Sequence, residues 1–129
     1  MGRGDTARPE RISEAEHAVM EVLWDKNPAT AADVSNALAD ERGWSLATVK
    51  TLLGRLVHKN AISASPDGRR YLYAPLIARS DYIGTESKRL VDRLFGGRAA
   101  SLVAHLADQE ALTEDDLTEI EALLKELKR

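Results

Sequence analysis

The chain has 129 residues, of which 43% are hydrophobic and 30% are charged, and it contains no cysteine. A chain of this size has room for one ordinary domain or two small ones, and its composition is that of a soluble globular protein. The missing cysteine excludes disulfides, thiolate metal sites and cysteine nucleophiles. Because it has no signal peptide and no apolar run near the roughly twenty residues of a membrane span, we expect a cytoplasmic protein without direct membrane insertion.

The formal net charge of −3 is distributed unevenly along the chain. Residues 45–75 carry five cations and the single acid Asp67, a net charge of +4. Residues 76–129 carry eight cations and eleven acids, a net charge of −3. Since a binding footprint depends on the local field rather than on the total charge, the basic stretch is compatible with a nucleic-acid partner.

Three short helices are predicted first, after a flexible tail at residues 1–10 that is rich in glycine, arginine and aspartate. The first two helices begin with capping boxes, in which a hydroxyl side chain and an acid three residues later satisfy free backbone amides. These boxes are Ser13 with Glu16 and Thr30 with Asp33. Asn60 tolerates a left-handed conformation and follows the third helix. The predicted ranges are 13–27, 30–43 and 45–59.

A β-hairpin is predicted next. Residues 61–65 and 70–73 are strand candidates, and Pro66-Asp67-Gly68 between them has the composition of a turn. Tyr71 and Tyr73 share one strand face because they are two residues apart, and Pro75 ends the hairpin. Three helices followed by a basic hairpin are the order of parts in a winged helix-turn-helix, with the hairpin as the wing.

The remaining chain is predicted to be helical over residues 80–95, 98–107 and 113–128, and its last helix carries apolar residues at coiled-coil spacing. Three helices within about fifty residues have little core of their own, so we expect two chains to interleave here. The fold class is therefore mainly α with a small β-hairpin wing, with a winged helix-turn-helix at 11–76 and a C-terminal helical dimerisation region at 77–129. The expected dimer-interface residues are Leu90, Leu94, Phe95, Leu102, Leu106, Leu117, Ile120, Leu124 and Leu127.

The third helix has one apolar and one polar face. At 100° per residue, one sector is predicted to be buried and contains Val49, Leu52, Leu53 and Leu56. The opposite sector holds small residues along its centre and cations, with no acid, along its sides. A helix that enters the major groove benefits from this arrangement, because its backbone approaches base edges while the cations meet phosphates. The candidate DNA-binding residues of this helix and the wing are Thr48, Lys50, Thr51, Arg55, His58, Lys59, Arg69 and Arg70.

These candidates have different expected roles. Thr48 and Thr51 can exchange hydrogen bonds with bases, and Arg55 can reach a guanine edge or a phosphate. The lysines are expected to contact phosphates, and the two wing arginines the flanking backbone or the minor groove. Gly54 lowers helix stability by about 1 kcal/mol relative to alanine. Its presence is explained either by close approach of DNA or as a tolerated defect.

Several short motifs follow one another across residues 12–128. They are Ser-Glu-Ala-Glu with Val-Met-Glu-Val-Leu-Trp, the Trp44-Ser45 pair, Thr-Val-Lys-Thr-Leu-Leu-Gly-Arg-Leu from Thr48, Tyr-Leu-Tyr-Ala-Pro in the wing, Tyr82 with Glu86, and Phe95-Gly-Gly before Ser101-Leu-Val. No single motif is decisive. Their order and spacing together make the chain resemble the penicillinase repressor family (BlaI/MecI/CopY type) of bacterial winged-helix repressors.

The resemblance implies a homodimeric repressor on a palindromic double-stranded DNA operator. Carried over by position, the base-reading segment of the family falls on Thr48, Lys50, Thr51 and Arg55. Ala47 stands where some members have a longer polar residue, which leaves the operator sequence open. The copper-responsive branch has a cysteine cluster that this chain lacks, and the three histidines lie on different predicted helices. We therefore expect no metal site and no cofactor.

In the antibiotic-responsive branch, the resemblance implies release from DNA by proteolysis downstream of a membrane sensor-protease system. The cut falls in the helix after Phe-Gly-Gly, and the matching position here is His105-Leu106. Cleavage there would split the dimer surface, and losing the second half-site would sharply weaken DNA binding.

An enzyme is not expected, because no Ser-His-Asp arrangement, phosphate loop or clustered carboxylate pair stands out. The alternative to a repressor is a winged-helix module that makes only protein contacts, mainly through the seam of the last helix. Salt separates these two hypotheses, since DNA binding through several phosphates weakens steeply as the salt concentration rises.

Overall fold

The computed structural model describes residues 11–129, and the tail predicted at residues 1–10 lies outside the described residues. The described chain is mainly α-helical with one two-stranded antiparallel hairpin, which confirms the predicted fold class. Its elements in chain order are α1 (Glu14–Asp25), α2 (Ala31–Arg42), α3 (Leu46–His58), β1 (Ile62–Asp67), β2 (Arg70–Pro75), α4 (Arg79–Phe95), α5 (Ala99–Asp108) and α6 (Glu114–Leu127).

Local sequence signals determine where the helices begin and end. The Ser13 hydroxyl accepts a hydrogen bond from the Glu16 amide at 3.1 Å, and the Glu16 carboxylate accepts one from the Ser13 amide at 2.9 Å. The same reciprocal pair begins α2, so both predicted capping boxes are confirmed, and a further one, Thr113 with Asp116, begins α6. Asn60 has the predicted left-handed conformation, with φ of 62°. Such capping satisfies backbone amides that have no partner inside the helix.

The structure divides into two compact units, with the division after Tyr82. In the first unit α1, α2 and α3 pack together and against the hairpin, around a single apolar core. The four α3 residues predicted to be buried all lie in this core. Its largest apolar members are Val19, Met20, Leu23, Val34, Leu38, Val49, Leu52, Leu53, Leu56 and Ile62.

The first unit runs to Tyr82, and the chain leading into α4 is attached to α1. The Trp24 indole donates a hydrogen bond to the Ile77 carbonyl at 2.8 Å. The Arg79 guanidinium donates to the Glu21 carboxylate at 3.0 Å. The Tyr82 ring stacks on the ring of His17, with 5.3 Å between ring centroids.

The hairpin is confirmed, but its predicted turn is wrong. Pro66 and Asp67 belong to β1, whose pairing with β2 runs through Asp67 opposite Arg70. Proline is tolerated there because a two-stranded sheet has only edge strands. The turn is therefore Gly68-Arg69, with a positive φ of 65° at Gly68, and this two-residue turn directs Arg69 to the wing tip.

A second pairing fixes the wing relative to the helices of the first unit. The Ala29 amide donates to the Tyr73 carbonyl at 3.0 Å, and the Tyr73 amide donates to the Ala29 carbonyl at 2.8 Å. This bridge joins β2 to the link between α1 and α2. The wing is thus held to the same core that supports α3.

The second unit, Ile83–Arg129, contains the rest of α4 together with α5 and α6. None of its residues is buried within the single chain. Gly96 and Gly97 have positive φ angles of 59° and 87° and join α4 to α5. The Phe95 and His105 rings lie 5.3 Å apart between centroids. Within residues 11–129, no helix is both long and apolar enough to cross a membrane.

Candidate nucleic-acid interface

Helix α3 is anchored by its buried face, which leaves the opposite face open to a partner. Ser45 caps the helix by accepting a hydrogen bond from the Thr48 amide at 3.1 Å. Because Val49, Leu52, Leu53 and Leu56 hold the other side in the core, the orientation of the open face is fixed by packing. The exposed residues of that face are Ala47, Thr48, Lys50, Thr51, Gly54, Arg55 and His58.

The two threonines of this face are already oriented by local hydrogen bonds. The Thr51 hydroxyl donates to the Ala47 carbonyl at 3.0 Å. Its lone pairs and its methyl group therefore remain available to a base. The Thr48 hydroxyl accepts from the Ser45 hydroxyl at 3.1 Å, so its own proton remains available. The pair consequently offers one acceptor and one donor at neighbouring positions of the helix.

The cations of the face are free to bind an anion. Lys50, Arg55 and Arg69 form no ion pair with any residue of the described chain. Arg70 is paired with Asp67 at 3.1 Å across the base of the wing turn. Unpaired exposed cations next to one another produce a local positive potential, which attracts phosphates.

A cleft of about 480 Å³ separates α3 from the wing. Its lining includes the cations Lys50, Arg69 and Arg70. Sequence reasoning missed the contribution of Tyr71 and of the first turn of α2, because these parts are distant in sequence and meet only in the fold. The available signal was the alternation of side chains between the two faces of β2, and it indicated only that Tyr71 and Tyr73 share a face. The lining residues are Thr30, Ala31, Ala32, Leu46, Lys50, Arg69, Arg70, Tyr71 and Tyr73.

The two tyrosines of β2 differ in environment although their rings are 6.4 Å apart. Tyr71 is exposed in the cleft, whereas Tyr73 packs against the core. Burial, together with the neighbouring Tyr71, raises the pKa of Tyr73 above its usual value. Tyr71 is thus the more exposed of the two tyrosines that line the cleft.

Lys59 is separated from the other candidate residues. Its ammonium lies 2.7 Å from the Glu16 carboxylate and donates to the Arg11 carbonyl at 2.8 Å. Only 2% of Glu16 is exposed, against 18% of Lys59. Burial opposes ionisation of Glu16, but hydrogen bonds from Lys59 and Ser13 outweigh it and hold the pKa of Glu16 below its usual value. Lys59 therefore joins the end of α3 to the start of α1.

Metal-binding potential is low across residues 11–129, where no group of three or more His, Cys, Asp or Glu side chains could hold an ion. His17, His58 and His105 lie on α1, α3 and α5.

The three helices, the wing and the cation-bearing face of α3 define a winged helix-turn-helix of the DNA-binding type. A sequence profile of the penicillinase repressor family matches residues 12–126, and the chain belongs to this family, which consists of transcriptional repressors rather than enzymes. The chain is 32% identical over 118 residues to the penicillinase repressor of Bacillus licheniformis, covering 92% of both chains.

Two solved structures resemble the first part of the chain. The solution structure of the DNA-binding domain of the repressor BlaI is 36% identical and has a TM-score of 0.53, covering 58% of this chain and 92% of that one. The solution structure of monomeric Bacillus licheniformis BlaI in complex with the blaP half-operator has the same identity and coverage, with a TM-score of 0.50.

Proposed function

We propose that this chain represses transcription by binding a palindromic DNA operator through the exposed face of α3 and the wing. The observation that carries the proposal is an acid-free helix face with unpaired cations on a domain similar to DNA-bound BlaI. The protein acts where bacterial DNA lies, in the cytoplasm. In this proposal Thr48, Thr51 and Arg55 contact base edges, Lys50, Arg69 and Arg70 contact phosphates, and His58 lies at the end of the face.

Selection of bound duplexes from a random DNA pool, followed by titration against salt, tests this proposal. An enriched sequence is expected, with an affinity that falls linearly with salt on logarithmic axes by about 0.9 per phosphate contacted. Lys50→Met should reduce that slope by about one contact and weaken binding to all sequences. The absence of an enriched sequence, with no salt dependence, would favour a module that makes only protein contacts.

The second unit supports a homodimer as part of the proposal. Several apolar side chains of this unit are exposed in the single chain, with exposed fractions of 46% for Leu124 and 80% for Leu127. Along α6 these residues continue a seam at spacings of three and four, which a second helix can cover. A dimer that pairs these seams brings two copies of α3 to one duplex, with half-sites about 34–36 Å apart or a multiple of that distance. The other predicted interface residues lie on α4 and α5, where Leu94 and Leu106 are also exposed.

Release of the repressor by proteolysis near His105-Leu106 completes the proposal, with a membrane sensor-protease system as the further partner. Both residues are exposed on α5, and the His105 ring contacts Phe95 at the end of α4. A cut there separates α6 from the rest of the second unit and removes the seam from the DNA-binding unit. Mass spectrometry of the chain from induced cells should detect fragments 1–105 and 106–129, which uninduced cells lack. An intact chain in fully induced cells contradicts release by this cut.

A further inference from the structure

Gly54 occupies the centre of the exposed face of α3, although nothing in the fold requires a glycine there. A Cβ atom built at Gly54 meets no atom within 4 Å, and the residue has ordinary helical backbone. Glycine is among the least favourable residues in a helix interior, since it loses the most backbone freedom on folding. Neither packing nor backbone geometry within the chain therefore explains this residue.

The surroundings of Gly54 indicate that a ligand accounts for it. Thr51 lies one turn before it and Arg55 directly after it, both exposed and both on the face proposed to contact DNA. The rest of α3 has a cap at Ser45 and a fully buried apolar side. The bare backbone thus lies within the exposed face of α3, between Thr51 and Arg55.

We propose that Gly54 is a specificity-determining residue, the point at which the backbone of α3 lies closest to the base edges of the operator. This inference rests on the proposed DNA-binding function. Without a side chain at this position, Thr51 and Arg55 can reach the bases while the flanking cations reach the phosphates. A methyl group at position 54 occupies the space between backbone and bases, and the helix must withdraw from the groove.

Gly84 in α4 provides a matched control. It is also exposed in a helix, and a Cβ atom there also meets no atom within 4 Å. Replacement of either glycine by alanine should raise the melting temperature of the protein by a few degrees, because alanine favours the helix. Only the change at Gly54 should alter DNA recognition.

The experiment compares the full chain with Gly54→Ala, Gly54→Leu and Gly84→Ala on two probes. These are the duplex that the wild-type chain selects from a random pool and a random-sequence duplex of equal length. Gly54→Ala should bind the selected duplex about tenfold more weakly or worse, with unchanged binding to the random duplex. Gly54→Leu should lose more, since leucine fits the helix but is larger. Gly84→Ala should bind both probes as the wild type does.

Wild-type affinity of Gly54→Ala for the selected duplex would overturn the inference and leave Gly54 as a tolerated defect. An equal loss in Gly84→Ala would also overturn it, because the effect would not be local to the groove-facing helix. A wild-type chain that prefers no sequence would instead refute the proposed function itself, along with this inference. The melting temperatures identify any variant whose loss comes from unfolding.

Discussion

The two units of the chain differ in whether their apolar residues are buried within the single chain. Residues 11–82 bury a continuous core that joins three helices and the wing. Residues 83–129 bury nothing within the single chain and expose leucines such as Leu117 and Leu124. An exposed apolar stripe of this kind indicates a protein interface. The first unit is therefore complete as one chain, whereas the apolar side chains of the second are the surface that the proposed dimer would cover.

Charge is also distributed unevenly along the chain. The net charge of +4 lies on α3 and the wing, within the first unit, and the second half of the chain is net acidic. The proposed function therefore places DNA contact and chain pairing in different segments. Substitutions confined to one unit should affect one of these properties directly and the other only through assembly.

The largest expected effect comes from placing a charge in the seam of α6. Leu124→Asp should give monomers by light scattering, since a carboxylate cannot be buried between two apolar helices without a large cost. Affinity for the full operator should fall by about a hundredfold or more, because each chain then binds its half-site alone.

Ala122→Asp is the control for that substitution. At 100° per residue, Ala122 lies on the side of α6 opposite the seam. It should leave both the mass and the operator affinity unchanged. A normal dimer in Leu124→Asp would remove α6 from the interface.

Breaking the buried ion pair of the first unit should produce the next largest effect. Lys59→Met leaves the buried Glu16 carboxylate without its cation, and it should lower the free energy of unfolding by about 3 kcal/mol. Denaturant titration measures this loss. Adding Glu16→Gln should restore most of the stability, because glutamine still serves in a capping box.

Lys50→Met is the matched change on the exposed side of the same helix. It should alter the free energy of unfolding by less than about 0.5 kcal/mol while weakening DNA binding. If the two lysine variants had similar stability, Lys59 would not be the structural member of this pair.

Arg55→Ala should have a smaller, purely functional effect. Loss of a base contact should weaken operator binding by about 1–3 kcal/mol without changing the free energy of unfolding. Arg55→Lys keeps the charge but not the two-pronged geometry, so it should lose sequence preference while keeping the salt dependence. Full specific affinity in Arg55→Ala would exclude Arg55 from base recognition.

Lowering the pH should have the smallest effect on stability, and this effect should arise in the first unit. Arg79 holds the pKa of Glu21 below its usual value of 4.5, and the pKa of Glu16 is also lowered despite its burial. Both carboxylates therefore stabilise the fold above the usual carboxyl pKa, and this contribution is lost as the pH falls through their lower native values. Thermal melting followed from neutral to acid pH should show a falling midpoint below about pH 4.5. Glu16→Gln should reduce that dependence.

The parts that the sequence predicted correctly are those with local causes. Capping boxes need residues three apart, and the two faces of α3 follow from helical periodicity alone. The Lys59–Glu16 pair and the Ala29–Tyr73 bridge join residues distant in sequence, so no local pattern could indicate them. The charge of Lys59 alone therefore predicts a DNA contact, whereas the fold pairs this residue with Glu16. The sequence misplaces the wing turn because proline and aspartate favour turns but also fit the end of an edge strand.

Binding of the full chain to whole and half operators tests most directly the proposal that the first unit contacts DNA while the second pairs two chains. The selected duplex and the same duplex cut to one half-site are titrated, and the mass of each complex is measured by sedimentation. We expect two chains on the whole duplex and about a hundredfold weaker binding to the half-site. One chain on each duplex, with equal affinity, would contradict the proposed dimeric repressor.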